Sequence, residues 1–196
     1  MPERNEAHEQ VESLIMRRWS PRSFDESTIP EDDLNVIFEA AGWAPSAYNL
    51  QPWTFLYARR GDANWDRFLS LLVEFNQSWA KDASALVFVV SDRLSRKPDG
   101  STSDNYSHSF DAGSAWMQLA LQATAMGYHT HGMVGVDFDR AVTELGIPDD
   151  HRLEAAVAIG RMAPKERLPE ALQEREAPSG RKPVSEIAVA GNFPAG

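Results

Sequence analysis

The sequence contains no cysteine among its 196 residues. This excludes disulfides, thiol catalysis, iron–sulfur clusters and thiolate zinc sites. Positive charge is also scarce, with 19 Lys and Arg against 29 Asp and Glu and a net charge of -10. Such an acidic chain is not expected to take nucleic acid or an anionic membrane as its main partner.

Long hydrophobic runs are absent as well. The longest strongly apolar run is ALVFVV at 85–90, which is far too short to span a bilayer. The first ten residues, MPERNEAHEQ, are polar and acidic and do not resemble a signal peptide. We therefore expect a cytoplasmic protein without a membrane partner, folded as a single domain over residues 1–196.

Several catalytic and nucleotide-binding motifs are missing from the sequence. It has no GxxxxGK[ST], GxGxxG, HExxH or GxSxG pattern, which argues against P-loop, Rossmann, zincin and serine hydrolase sites. His129 and His131 alternate on a predicted strand and share one face. No third ligand accompanies them, so ordinary polar packing is favoured over a metal site.

The periodicity of the apolar residues predicts an α+β domain with a central mixed or antiparallel sheet flanked by helices. In the first predicted helix Val11, Leu14 and Ile15 form the inward stripe, and Gly127 ends the longest helix. The predicted helices are 6–18, 30–44, 62–75, 109–126 and 138–145, and the predicted strands are 53–58, 85–92, 128–135 and 153–160.

Two segments lack such periodicity. Residues 93–108 are polar and rich in helix and strand breakers, which predicts a long mobile loop. The tail after Arg161 is rich in proline and charge but keeps apolar residues such as Val184, Ile187 and Phe193. We expect this tail to be an arm that packs on a partner subunit.

Cations cluster at two places in this acidic chain, RRWSPR at 17–22 and RMAPKER at 161–167. Taken singly, the first is explained by capping of a helix C-terminus and the second by a solvated loop. Taken together, they fit an anionic ligand such as a phosphate ester.

The segment WAPSAYNLQPWTF at 43–55 has more polar side chains than a turn between two elements needs. Two amide side chains and a hydroxyl lie between Trp43, Tyr48 and Trp53. The segment is either an Asn/Pro turn packed under aromatic rings or a polar lip over a flat ligand.

At these positions the chain resembles the FMN-dependent nitroreductases over nearly its whole length. Residues 18–22 resemble the family's R-x-S-x-R element, and residues 45–53 match its P-S-x-x-N-x-Q-P-W stretch. Residues 127–135, followed by Asp137, fit the strand and turn beside the flavin ring. Residues 164–169, PKERLP, resemble its P-K-x-R-x-P phosphate element.

The resemblance implies an FMN site in a homodimer. Arg22 would lie near N1 and the C2 carbonyl of the flavin, and the backbone N–H groups of Val134 and Gly135 near N5 and O4. Arg18, Ser20, Lys165 and Arg167 would hold the phosphate and the ribityl chain, and Pro45, Ser46 and Asn49 would come from the second subunit. The full predicted set is Arg18, Trp19, Ser20, Arg22, Pro45, Ser46, Ala47, Asn49, Gln51, Val134, Gly135, Lys165 and Arg167.

The sequence departs from the family pattern at two of these positions. Trp19 stands where a polar or basic residue is commoner, and Val134 stands where many relatives carry Glu. Because the N5 contact uses the backbone, Val134 is expected to change the substrate pocket rather than abolish flavin chemistry. No side chain is predicted to act as an acid or base, and Asp111 is expected to be a structural or capping residue.

The activity implied by the resemblance is hydride transfer from NAD(P)H through flavin N5 to an acceptor such as a nitroaromatic or quinone, with ping-pong kinetics. A specialised flavin enzyme, dehalogenase-like or flavin-fragmenting, is an alternative in which residues 93–108 form a substrate lid. A non-enzymatic flavin-binding protein is a second alternative.

Overall fold

The protein is described by a computed structural model over residues 7–194. The strands are β1 (Trp53–Arg59), β2 (Ala85–Asp92), β3 (Leu94–Arg96), β4 (Thr102–Asp104), β5 (His129–Met133) and β6 (His151–Gly160). The helices are α1 (Ser13–Arg17), α2 (Glu31–Gly42), α3 (Trp65–Ser70), α4 (Glu74–Ala80), α5 (His108–Ala125), α6 (Phe138–Leu145), α7 (Glu170–Gln173) and α8 (Val184–Ile187). The main sheet has the order β1-β2-β6-β5, and every neighbouring pair is antiparallel. The predicted α+β class is confirmed.

Strand β2 lies at the centre of two hydrophobic layers. Its side chains alternate between the faces, so that Val87 and Val89 join the layer that includes α2 and α5, while Leu86 and Phe88 join the layer that includes α3, α4 and α6. Covering both faces explains why an antiparallel strand has a continuous apolar run instead of an alternating one.

Three predicted helices agree closely with the structure. Helix α2 follows Pro30 and carries three acidic residues in its first turn, where they complement the helix dipole. Helix α5 ends before Gly127, whose φ of 81° lies in the left-handed region. Helix α6 coincides with the predicted range, and the side chain of Asp137 caps it by accepting from the Arg140 N–H.

The predicted helix at 6–18 is wrong in extent and in its inward face. Only α1 is helical among the residues described there; residue 6 lies outside the described range. Val11 and Ile15 are 39% and 52% exposed and Leu14 is half-buried. Helix α1 contacts α5, but Val11 and Ile15 are not buried by the described residues.

The predicted helix at 62–75 is divided into α3 and α4. Between them the chain turns away to pair with residues 135–137. The Val73 N–H donates to the Gly135 carbonyl at 3.0 Å, and the Asp137 N–H donates to the Leu71 carbonyl at 2.9 Å. Since these backbone groups are used in a tertiary bridge, the helix cannot continue through them.

Residues 93–108 are not the irregular loop that their composition predicts. They contain the hairpin of β3 and β4, in which Leu94 lies opposite Asp104. Its tip closes through a hydrogen bond from the Lys97 N–H to the Ser101 carbonyl at 2.9 Å, next to Gly100 with a φ of 84°. The hairpin is largely exposed, so no apolar alternation marked it in the sequence.

The C-terminal segment leaves the sheet after β6 and is only partly buried. Leu168 and Leu172 join the core, whereas Val184, Ile187 and Phe193 are 73%, 68% and 97% exposed. The expected packing of this arm on a partner subunit stays a prediction. Within residues 7–194 none of the helices combines the length and apolar character that crossing a membrane requires.

Candidate functional site

A basic cavity of about 160 Å³ lies where the segment after α1 meets the C-terminal segment. Four arginines contribute to its wall in a protein with a net charge of -10. Its lining residues are Arg18, Trp19, Ser20, Arg22, His131, Arg175, Ala177, Ser179 and Arg181. The predicted element at 18–22 is therefore on the cavity, and the concentration of guanidinium groups suits an anion.

The element at 18–22 is held against the sheet by its own backbone and by Ser23. The Pro21 carbonyl lies 2.9 Å from Nδ1 of His131 on β5, and Ser23 Oγ donates to the Pro164 carbonyl at 2.7 Å. On the cavity side, Arg18 Nη1 lies 3.4 Å from Ser20 Oγ. These contacts fix the arginines relative to β5, whose His131 lines the cavity.

Glu176 approaches the same element from the C-terminal segment. Its side chain is 3% exposed, and Oε1 accepts from the Arg22 and Ser23 N–H groups at 2.6 and 2.9 Å. Oε2 lies 3.8 Å from Arg22 Nη1. Burial lowers the pKa of Arg22 from its ordinary value, while Glu176 acts to raise it and Arg175 to lower it. Arg22 Nε is buried without a hydrogen-bond partner among the described residues, so it is a donor that a bound ligand can satisfy.

His131 is a neutral side chain on the cavity wall. Its ring centroid is 4.6 Å from that of Trp79, and burial lowers its pKa from 6.5 to about 4. Since a carbonyl can only accept, Nδ1 of neutral His131 must carry the proton that is donated to Pro21. His129 lies on the same face, as predicted, with Trp19 at 6.5 Å between ring centroids.

Lys165 and Arg167 do not line this cavity, contrary to the predicted grouping with Arg18 and Ser20. They form a 3-10 turn, in which Arg167 is ion-paired with Glu26. Arg175, Ser179 and Arg181 line the cavity instead. A sequence signal for the second group exists, because residues 178–183 (PSGRKP) have the same P-x-x-R-x-P spacing as residues 164–169 (PKERLP). The family resemblance predicts a phosphate element only at residues 164–169.

The predicted lip at 45–51 is a strained and exposed loop. Tyr48, Asn49 and Gln51 have φ values of 52°, 56° and 49°, a conformation that costs non-glycine residues about 1–3 kcal/mol each. The loop is fastened by a hydrogen bond from the Gln51 N–H to Ser46 Oγ at 3.0 Å. Tyr48 is 98% exposed, so within one chain the loop is not an Asn/Pro turn packed under aromatic rings.

The loop and the cavity lie far apart within one chain. Trp53, which follows the loop, is opposite Ser91, and Ser91 is opposite Arg152 on β6. His131 on the cavity wall is opposite Ala158 of the same strand. The interval from 152 to 158 corresponds to about 20 Å at about 3.3 Å per residue. One chain therefore does not bring the two predicted halves of the site together.

Val134 and Gly135 follow β5 directly. The Gly135 carbonyl accepts from the Val73 N–H at 3.0 Å and from Asn76 Nδ2 at 3.1 Å. A Cβ at Gly135 would lie 2.2 Å from Asn76 Nδ2. Glycine is thus required here for the close approach of Asn76, while Val134 is 72% exposed beside it.

Sequence reasoning also missed a carboxylate cluster at the base of the hairpin. Ligand-type atoms of Asp92, Asp150 and His151 lie within 4.8 Å of one another. Arg96 is ion-paired with both carboxylates, and His151 Nδ1 lies 2.6 Å from Asp150 Oδ1. The cluster is therefore an ion-pair network centred on a guanidinium.

Comparison with known proteins gives consistent matches. The family model described as "Nitroreductase family" matches residues 15–75 and 63–161. A solved structure described as an oxidoreductase containing FMN is 47% identical, with a TM-score of 0.94, over 98% of this chain and 97% of that one. The CLA biosynthesis enone reductase of Lactiplantibacillus plantarum is 26% identical over 82% of this chain and 89% of its own length. An NADH dehydrogenase of Thermus thermophilus is 27% identical over 81% of this chain and 92% of its own length.

Proposed function

This chain belongs to the nitroreductase family, and from that premise we propose that it is an FMN-dependent oxidoreductase acting on NAD(P)H and a small electron acceptor. The observation that carries the proposal is the basic cavity formed around the R-x-S-x-R element. The 47% identical oxidoreductase that contains FMN supports the choice of cofactor.

The cavity fits the phosphate end of FMN. A phosphate dianion accepts charge-assisted hydrogen bonds, and planar guanidinium groups donate them in pairs. We assign this role to Arg18, Ser20, Ser179 and Arg181, with Arg175 adding positive charge at the wall. The assignment differs from the predicted one, since Lys165 and Arg167 do not line the cavity.

Arg22 fits the flavin ring. When bound, FMN supplies hydride chemistry, accepting from NAD(P)H at N5 and returning the hydride to an acceptor. The buried, unpartnered Nε of Arg22 offers a donor and a positive charge where negative charge develops on reduction. The backbone N–H groups of Val134 and Gly135 would hold the ring by donating hydrogen bonds to it. No side chain is assigned as an acid or base.

A homodimer completes this site. The cavity of about 160 Å³ is smaller than the roughly 300–1,000 Å³ of ordinary ligand pockets. The lip at 45–51 lies too far away to close it in the same chain, so Pro45, Ser46, Ala47, Asn49 and Gln51 of a second copy cover the ring. The exposed apolar residues of α8 and the tail supply further surface for that contact.

The donor and acceptor are proposed from chemistry and relatives together. An NADH dehydrogenase and an enone reductase among the relatives support a nicotinamide donor and an electron-poor acceptor such as a nitroaromatic, a quinone or an enone. The specialised flavin enzymes and the flavin-binding protein remain alternatives, and the exposed β3–β4 hairpin favours none of them.

The test is the absorbance spectrum of the purified protein, followed by chromatography of the flavin that acid releases. We expect the released flavin to be FMN. We also expect oxidation of NADH or NADPH that depends on an added quinone, nitroaromatic or enone. Double-reciprocal plots of the initial velocity should give parallel lines, as ping-pong kinetics require. Release of FAD, or failure to take up any flavin, would contradict the cofactor. If FMN is bound but neither NADH nor NADPH reduces it, the protein would instead be a flavin-binding protein.

A further inference from the structure

Glu176 is buried at the junction of two segments that are distant in sequence. Its Oε1 atom accepts from two consecutive backbone N–H groups, those of Arg22 at 2.6 Å and Ser23 at 2.9 Å. These contacts join positions 154 and 153 residues apart. A buried carboxylate is costly unless it is hydrogen-bonded or paired, so this contact holds the C-terminal segment in place.

The same carboxylate is only partly engaged. Glu176 Oε2 makes no hydrogen bond among the described residues and lies 3.8 Å from Arg22 Nη1. Arg22 Nε is likewise buried without a partner. A clamp with a purely structural role is expected to satisfy both oxygens and the guanidinium. Here Glu176 Oε2 and Arg22 Nε are both left without a hydrogen bond among the described residues, and only Arg22 lines the cavity, where it can contact a bound group.

We propose that Glu176 is a positioning residue of the flavin site, which closes the segment 170–181 over Arg22 and sets how strongly the Arg22 guanidinium stabilises negative charge on the ring. The inference rests on the proposed function. It adds a residue that touches neither substrate nor cofactor and acts through Arg22.

Two consequences follow from the geometry. Because Arg175, Ser179 and Arg181 flank Glu176 in the sequence and line the cavity, releasing the carboxylate from residues 22 and 23 frees the wall that holds the phosphate. Because a negative charge stands 3.8 Å from Arg22 Nη1, it offsets part of the positive charge offered to reduced flavin. Glu176 thus favours FMN binding while making the bound flavin harder to reduce.

Two substitutions separate these effects. Glu176→Gln keeps an amide oxygen for the two backbone N–H groups but removes the charge, whereas Glu176→Ala removes both. Glu174→Gln is the matched control, since it removes the same charge from an exposed position two residues away. The readouts are the FMN dissociation constant, the midpoint potential of bound FMN by dye equilibration, and amide exchange of the peptides covering 18–23 and 170–181.

For Glu176→Gln we expect FMN affinity within about threefold of wild type and a more positive midpoint potential. A tenfold shift in the preference for reduced over oxidised flavin corresponds to about 30 mV for a two-electron couple. For Glu176→Ala we expect at least tenfold weaker FMN binding and faster amide exchange in both peptides. Glu174→Gln is expected to match wild type in all three readouts.

An unchanged potential in Glu176→Gln with FMN still bound would overturn the inference and leave the proposed function intact. Unchanged FMN affinity and amide exchange in Glu176→Ala would do the same. Wild-type protein that takes up no FMN would overturn the proposed function and this inference with it. A far-ultraviolet circular dichroism melt of each variant separates loss of the fold from loss of the contact.

Discussion

The main-chain N–H of Ala47 donates a 3.1 Å hydrogen bond to the carboxylate of Asp111. The bond ties the strained 45–51 loop to the first turn of α5. The same oxygen accepts from Ser107 Oγ at 2.8 Å, and Asp111 is 4% exposed. The expected structural role of this acid is therefore confirmed by its partners.

Replacing Asp111 by Ala is expected to lower the free energy of unfolding by about 1–3 kcal/mol, because two donors lose a buried acceptor. Urea denaturation measures the change. Asp111→Asn, which keeps one oxygen, should lose less, and Glu39→Ala, at an exposed site on α2, should stay within about 0.5 kcal/mol of wild type. Equal stability of the Asp111→Ala variant and wild type would contradict the tie between loop and helix.

Gly135→Ala is expected to destabilise the protein by about 1–3 kcal/mol, since overpacking of this order displaces neighbours. The added Cβ would lie 2.2 Å from Asn76 Nδ2 and 3.0 Å from Val73 Cγ2. Gly42→Ala at the end of α2 is the control, because its Cβ would meet nothing within 4 Å. Thermal unfolding of the two variants should therefore differ, and similar midpoints would show that Asn76 moves aside without cost.

Arg181→Ala is expected to weaken FMN binding roughly tenfold to a hundredfold, which corresponds to the loss of about 1.5–3 kcal/mol from a charge-assisted contact. Arg167→Ala is the matched control, because Arg167 occupies the same position in the other P-x-x-R-x-P segment and pairs with Glu26. It should bind FMN within about twofold of wild type. Fluorescence titration of FMN measures both, and a larger loss for Arg167→Ala would return the phosphate site to 164–169.

The pH dependence of stability should carry a contribution from His131. Its pKa falls from 6.5 to about 4 on burial, so the unfolded chain binds more protons between these values. Stability contributed by neutral His131 is present above about pH 6.5 and is lost as the pH falls toward 4. The loss amounts to about 3 kcal/mol at most.

His131→Asn, which cannot take up a proton, should remove this part of the pH dependence while retaining a donor for Pro21. The measurement is urea unfolding of flavin-free protein at several pH values, without phosphate in the buffer. His8→Asn, at an exposed position, should follow the wild-type curve. If the free energy of unfolding of wild type and of His131→Asn changes with pH in the same way, protonation of His131 does not destabilise the fold.

Periodic sequence patterns predicted the elements that bury one face within this chain. Helix α2 was found because its apolar residues repeat with the helical period, and strand β2 was found because of its continuous, β-branched apolar run. The break between α3 and α4 was not, because it is set by the pairing of Val73 with Gly135, which is remote in sequence. The hairpin of β3 and β4 was missed because its exposed strands need no apolar alternation.

The candidate site shows the same division. Residues of the R-x-S-x-R element line one basic cavity, as expected of contiguous residues, and their binding of FMN stays a prediction. The fold brings Arg181 rather than Arg167 to the cavity that Arg22 lines, although both arginines lie in segments with the same P-x-x-R-x-P spacing, so the sequence alone does not distinguish the two. Glu176 was missed altogether. A single glutamate in a charged tail carries no signal until its contact with the Arg22 N–H is known.

Two copies of the chain are expected to share each flavin site. If Arg22 of one copy and Asn49 of the other face the same flavin, Asn49→Ala and Arg22→Ala homodimers should both be weakly active. Mixing the two chains through unfolding and refolding makes heterodimers with one intact and one doubly altered site. With random pairing, about a quarter of the sites, and so about a quarter of wild-type activity, should be regained.

The matched control mixes Asn49→Ala with Ser46→Ala, two substitutions in the same loop, because every heterodimer site then contains one altered loop and no activity should return. Light scattering of the refolded mixtures gives the oligomeric state. A monomeric mass with full FMN occupancy and activity would contradict the shared site. So would dimers in which the Asn49→Ala and Arg22→Ala chains fail to complement each other, since loop and cavity would then act within one chain despite the roughly 20 Å that separates their rows of the sheet.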